Sequence, residues 1–232
     1  QGQIPPMVTP FDRDGNICEA SVATLVQFLD TKVQGLFVCG SYGCGPLMNV
    51  EERKSLVEMV SKHISPDLQF VVHVGTTNVR DSIELAKHAQ DNGVHGVASV
   101  VPFYFHHDQE SIKRFFERLV GAVDIPVYFY NNPKLTGFSA DVDFVRELRD
   151  LGAAGIKDSS FDIVALSVSK GNWGALGLTS CSAPRRCSYR LQCWVRGRSY
   201  PALAMRSPRC ATTCMRRQSA AIWMKRAGRS LG

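Results

Sequence analysis

Up to about residue 160 the chain alternates short apolar, β-rich runs with longer amphipathic stretches. Runs at 6–11, 36–39, 70–74, 96–100, 127–130 and 154–157 predict strands, and from the second onward their starts lie 34, 26, 31 and 27 residues apart. The stretches 21–31, 50–61, 79–92, 109–122 and 141–150 place apolar residues at helical spacing. In 50–61, Val50, Leu56, Val57 and Val60 share one face, and Glu51, Glu52, Arg53 and Lys54 are expected on the wet one. Asp108 and either Ser139 or Asp141 are suitable N-caps.

Strands and helices alternating at this interval imply right-handed βαβ crossovers and a parallel α/β sheet, either doubly wound or closed as a barrel. Six such units fit before residue 162. An eight-unit barrel takes about 250 residues, so two more units are expected after Lys157. The chain beyond Lys170 does not supply them convincingly: it has no alternating β-branched run, and its one helical candidate, 218–227, is marginal alone.

Composition first confirms a globular chain and then divides it. The 232 residues are 44% hydrophobic and 21% charged, enough for a real core and far from the compositions of disordered or fibrous chains. No apolar run approaches 18 residues, and the N-terminal QGQIPPMVTPF lacks the basic-then-apolar layout of a signal peptide, so a cytoplasmic protein without membrane partners is expected. The net charge of +6 by itself suggests an anionic partner. Its distribution argues otherwise. Residues 1–162 hold all 21 acids and 14 of the 27 bases, a balance of −7, whereas 163–232 hold 13 bases and no acid. At ordinary usage 70 residues carry about eight or nine acids. The expected division is a β/α segment over 1–162 and a basic, acid-free segment over 163–232.

Chemically informative residues fall at strand C-termini, where parallel α/β folds place their sites. Lys157 ends the run AAGIK, so its amine points into the top of a barrel, where desolvation favours the neutral form that attacks a ketone to give a Schiff base. Tyr130 ends VYFY one strand earlier, and its phenol could deliver or remove a proton beside that imine. The turn Gly40-Ser41-Tyr42-Gly43-Cys44-Gly45 offers backbone N–H groups and a hydroxyl suited to a carboxylate; it is neither a dinucleotide fingerprint nor a P-loop. Taken singly, each has an ordinary reading: a lysine snorkelling at a strand end, a buried strand tyrosine, a βα turn.

Together these positions resemble the class I pyruvate aldolases of the dihydrodipicolinate synthase and N-acetylneuraminate lyase type. The resemblance runs from about Pro6 to Ser160. It rests on Thr9-Pro10-Phe11, Gly40-Ser41-Tyr42-Gly43 with Glu51-Glu52-Arg53, Pro102-Phe103-Tyr104, Tyr130-Asn131-Asn132-Pro133 with Thr136-Gly137, and Gly155-Ile156-Lys157-Asp158. It implies a (β/α)8 TIM barrel in a homo-oligomer, a dimer or the homotetramer usual in the family, with no metal and no organic cofactor. It implies Lys157 as the imine-forming residue and Tyr130 as the acid/base residue. Gly40, Ser41 and Tyr42 would hold the substrate carboxylate, and Tyr104 would reach a neighbouring subunit's site. The implied reaction is retro-aldol cleavage or dehydration of a 2-keto-3-deoxy acid.

Two departures narrow this expectation. Tyr42 stands where the family usually has a threonine linking two tyrosines, so the proton relay must be rearranged. Leu135 stands where dihydrodipicolinate synthases use an arginine for the aldehyde substrate's carboxylate, and a leucine makes no bidentate contact. That favours a lyase over the synthase, which Lys134 next to it keeps as runner-up.

The tail admits three readings. Enrichment in Arg, Ser, Cys, Pro and Trp without acid is what a GC-rich gene gives when read out of frame, here from somewhere between Asp162 and Leu178, and this reading is preferred. The second is a nucleic-acid-binding appendix on a catalytically inactive barrel, with Arg185, Arg186, Arg190, Arg196, Arg198, Arg216 and Arg217 on phosphates and Tyr189, Trp194, Tyr200 and Trp223 stacking on bases. A zinc site is weakest, because Cys181, Cys187, Cys193, Cys210 and Cys214 form no paired knuckles and the tail has no histidine.

Overall fold

The computed structural model describes residues 3–160 and two further strands. Five strands, β1 (Gly35–Val38), β2 (Gln69–His73), β3 (Gly96–Ser99), β4 (Val127–Asn131) and β5 (Gly155–Asp158), pair in parallel in the order of the chain. Helices α1 (Glu19–Asp30), α2 (Val50–Ser61), α3 (Val79–Asp91), α4 (Gln109–Val120), the short α5 (Pro133–Thr136) and α6 (Val142–Asp150) complete the described α/β segment. An all-parallel sheet whose order never reverses keeps its right-handed crossovers on one face, the winding of a barrel rather than of a doubly wound sheet.

Alternation along the strands sorts the side chains into two layers. Leu36, Val38, Phe70, Val72, Val97, Phe129 and Ile156 belong to the large core with the apolar stripes of the helices. Phe37, Ala98, Val100 and Tyr130 form a second, smaller cluster, with Val71, Tyr128 and Phe103 packed on it. Caps start the helices where the sequence marks them. Asn49 and Glu52 form a reciprocal capping box on α2, and Asp108 and Asp141 accept the Ser111 and Phe144 N–H groups. Asp141, not Ser139, is therefore the cap of α6.

Two expectations are corrected here. Among the described residues the segment 6–11 does not form a sixth strand, and the parallel sheet has five. Pro6 makes one parallel bridge to Phe37, through Phe37 N–H to Pro5 O and Met7 N–H to Phe37 O. The partner strand β1 ends at Val38 and Cys39 turns out of extended backbone at φ 59°, so the ladder has nothing to continue along; further on, Phe11 bridges antiparallel to Ile17. Arg53, expected on the wet face of α2, is only 2% exposed. The two remaining strands, β6 (Gln192–Val195) and β7 (Arg198–Pro201), form an antiparallel pair of their own, which the pattern of the tail does not predict. The tail's other candidates, the 218–227 helix and the proposed phosphate, base and zinc contacts, lie outside the described residues or concern side chains that are not described. Among the described residues no helix is long and apolar enough to cross a membrane.

Candidate active site

The register β4 to β5 places Tyr130 directly opposite Lys157. Both point away from the helix layer, and the Lys157 Nζ sits 3.4 Å from the centroid of the Tyr130 ring and 5.3 Å from that of Phe37. A cation on two aromatic faces is favourably held even where water is scarce. Nζ also donates to Ser159 Oγ at 3.1 Å, and Ser159 is buried. One position further along both strands, Asn131 Nδ2 donates to Asp158 Oδ2 at 2.7 Å and Ser159 N–H to Asn131 O at 2.8 Å, which fixes the two strand ends to each other. Among the described residues no group of three or more His, Cys, Asp or Glu side chains is arranged to hold a metal ion.

Tyr130 is 3% exposed. Burial is the largest influence on its phenol and raises it. The Lys157 charge and hydrogen bonding from Lys157, Ser159 and Ser41 together outweigh burial and leave the phenol below its ordinary value. Ser41 therefore belongs to the site, and it comes from the turn after β1. That turn is a tight knot: Gly40 O accepts the N–H groups of Gly43 and Gly45 at 3.0 and 3.1 Å, and Thr9 Oγ1 donates to Gly43 O at 2.6 Å. Cys39 and Cys44 bracket it in left-handed backbone, with φ of 59° and 56°. Such conformations cost about 1–3 kcal/mol each and persist where surrounding structure holds them. Among the described residues neither the Ser41 nor the Tyr42 N–H donates to a backbone carbonyl.

Tyr104 is elsewhere. It sits on the loop after β3, 86% exposed, at φ 87°, with its ring edge-on to the exposed Phe105. Within this chain it does not join Lys157 and Tyr130. Leu135, 59% exposed on α5, offers the site no charge.

Behind the site lies a buried pair that hydrophobic patterning does not mark, Arg53 and His73. Arg53 Nη1 donates to Gly75 O at 3.0 Å and Nη2 to His73 O, so α2 pins the end of β2. The His73 ring lies edge-on to Phe37 and Tyr130, with centroids 6.3 and 5.8 Å away, and its Nε2 accepts the Val100 N–H at 3.4 Å. Burial first, then the charges of Arg53 and Lys157, hold His73 well below its ordinary value, so the ring is neutral. Cys39, which touches Arg53, is buried with its thiol pushed up to about 11, a poor nucleophile. The only signal for His73 in the sequence was its place at the C-terminus of an apolar strand, in phase with Val71.

The neutral histidine has a consequence for stability. Its proton affinity in the folded chain lies below the unfolded value of about 6.5, so its contribution is complete above that pH and is lost as the pH falls below it, by up to about 1.4 kcal/mol per pH unit. His73→Phe keeps an aromatic ring against Phe37 and Tyr130 and removes this proton uptake. Urea midpoints at pH 7 and pH 5 should therefore fall less in the variant than in the parent, and an equal fall would contradict the neutral assignment.

Comparison with known proteins places the chain in a family. The sequence profile of the Dihydrodipicolinate synthetase family matches residues 1–171. The chain belongs to that family. Among relatives, YagE of Escherichia coli (strain K12), whose name assigns it provisionally as a 2-dehydro-3-deoxy-D-gluconate aldolase, is 34% identical over 161 residues, covering 68% of this chain and 53% of YagE. The YagE crystal structure in complex with pyruvate matches with a TM-score of 0.76 at 31% identity, covering 79% of this chain and 60% of that one. N-acetylneuraminate lyase of Lactiplantibacillus plantarum is 35% identical over 162 residues, covering 68% of this chain and 56% of the lyase. A structure titled as the catalytic lysine mutant of Ruminococcus gnavus sialic acid aldolase matches with a TM-score of 0.74 at 31% identity, covering 78% of this chain and 60% of that one. The chain thus spans about half the length of the curated relatives it matches, and these family members are aldolases and lyases.

Proposed function

We propose that the described segment carries the site of a Schiff-base-forming lyase acting on 2-keto-3-deoxy sugar acids, with pyruvate as the product where the C3–C4 bond is cleaved. The observation that carries this reading is the Lys157 amine on the face of Tyr130, at the ends of adjacent strands, with Ser41 from the β1 turn beside the same phenol. The Lys157 amine adds to the C2 carbonyl, and loss of water gives the protonated imine. The imine withdraws electrons from the C3–C4 bond while the Tyr130 phenolate takes the C4 hydroxyl proton. The aldehyde leaves, the resulting enamine is protonated at C3, and water releases pyruvate. If instead a C3 proton leaves, the same electron sink supports dehydration. Gly40, Ser41 and Tyr42 hold the substrate carboxylate through N–H groups and the Ser41 hydroxyl. No step calls on a metal or an organic cofactor.

Support for the substrate class comes from the relatives' names, two of which are sugar-acid or sialic-acid aldolases, and from Leu135, which supplies no cation for a second carboxylate. Exposed Tyr104 and Phe105 support a further part of the reading, a homo-oligomer in which Tyr104 serves a neighbouring copy. The test is borohydride reduction of the full chain in the presence of pyruvate, followed by peptide mass spectrometry. A reduced pyruvyl adduct on Lys157 is expected. An adduct confined to other lysines, or none on the folded protein, sinks the reading.

A further inference from the structure

Asn132 is part of neither the expected site nor the reaction just described, yet its side chain ends on the reacting phenol. The residue is 6% exposed and precedes α5 at the N-cap position. A cap asparagine ordinarily turns its side chain onto the first turn of its own helix. This one makes no such bond. Its Nδ2 instead donates to the Tyr130 hydroxyl oxygen at 3.2 Å. The backbone holds it in place, because Asn132 O accepts from the Leu135 and Thr136 N–H groups and from Thr136 Oγ1, at 3.0, 3.1 and 3.1 Å.

We propose that Asn132 is a positioning residue for Tyr130: its buried amide donor holds the phenol oxygen and stabilises the phenolate. This rests on the reading of Tyr130 as the acid/base residue. A donor aimed at a phenol oxygen gains strength when that oxygen becomes charged, so it favours the ionised form. Nδ2 thus joins Lys157, Ser159 and Ser41, whose hydrogen bonding at the same phenol also favours its ionised form. The charged and titratable groups facing Tyr130 are Lys157 from β5, 3.4 Å over the ring, and neutral His73 from β2, at its edge. Asn132 adds to them a donor that is present at every pH.

The test is ultraviolet titration of tyrosinate in the full chain, with Tyr130→Phe subtracted to isolate one of the six tyrosines. Asn132→Leu removes the donor, and Asn132→Asp keeps the side chain's size, which guards against misfolding, while replacing the donor by a carboxylate. The Tyr130 step should move up by about one to two pH units in Asn132→Leu, the equivalent of one charge-assisted hydrogen bond, and at least as far in Asn132→Asp. The rising limb of kcat against pH should move with it, with KM little changed. A Tyr130 step at the parent's pH in both variants overturns the proposal. Titration needs no turnover, so a parent chain that fails to trap pyruvate counts against the proposed reaction while the titration still judges Asn132.

Discussion

Lys157→Met will leave the chain folded and without any borohydride-trapped pyruvate, and will cut turnover by roughly 10^6-fold, the scale on which covalent nucleophiles act. Methionine has the length and flexibility to lie on the Tyr130 and Phe37 rings where the lysine stem lay, so the loss is chemical rather than structural. The same substitution tests the electrostatics. Lys157 lowers the proton affinity of both Tyr130 and His73. Without it the Tyr130 step should rise, and His73 should protonate more readily as the pH falls. Retention of an adduct in Lys157→Met would reassign the nucleophile.

How much of this was legible in the sequence depends on which force fixes each residue. Five strands and the main helices follow from hydrophobic period alone, because burial on two layers decides them. The first strand fails because its partner β1 stops at Val38, where Cys39 leaves extended backbone, and no apolar pattern reports that turn. Lys157 and Tyr130 were readable because strand ends carry chemistry in parallel sheets, and the register brings them face to face. Arg53, His73 and Asn132 were not, because each is placed by a polar group distant in sequence or by declining a local bond. Arg53 finds the carbonyls of His73 and Gly75, and Asn132 gives up its cap for Tyr130. A count of apolar faces assigns an arginine to solvent, and nothing in residues 50–61 reports the carbonyls at and just beyond the end of β2 that hold it. The unbalanced charge of the tail was plain, whereas the β6–β7 pair was not: its strands show no two-residue alternation of apolar and polar side chains.

The turn after β1 supplies the second large effect. At Gly45 an added Cβ would overlap the Cys39 carbonyl oxygen outright, with the carbonyl carbon 2.6 Å away, and both are backbone atoms that no rotamer change can move. Relief requires opening the knot, which costs the two hydrogen bonds into Gly40 O and releases Cys39 and Cys44 from their left-handed backbone. Gly45→Ala should therefore lower stability by about 3–5 kcal/mol, the range of severe single substitutions. It should also move Ser41 away from Tyr130, so that the pyruvate concentration needed for half-maximal trapping on Lys157 rises at least tenfold. Gly93→Ala is the control. Gly93 has φ 74° but open space around it, so alanine there meets only backbone strain, about 1 kcal/mol, and leaves trapping unchanged. Urea unfolding and trapping measured on both variants separate the two effects: if Gly45→Ala loses stability but traps pyruvate like the parent, the turn is a structural brace and the carboxylate is held elsewhere.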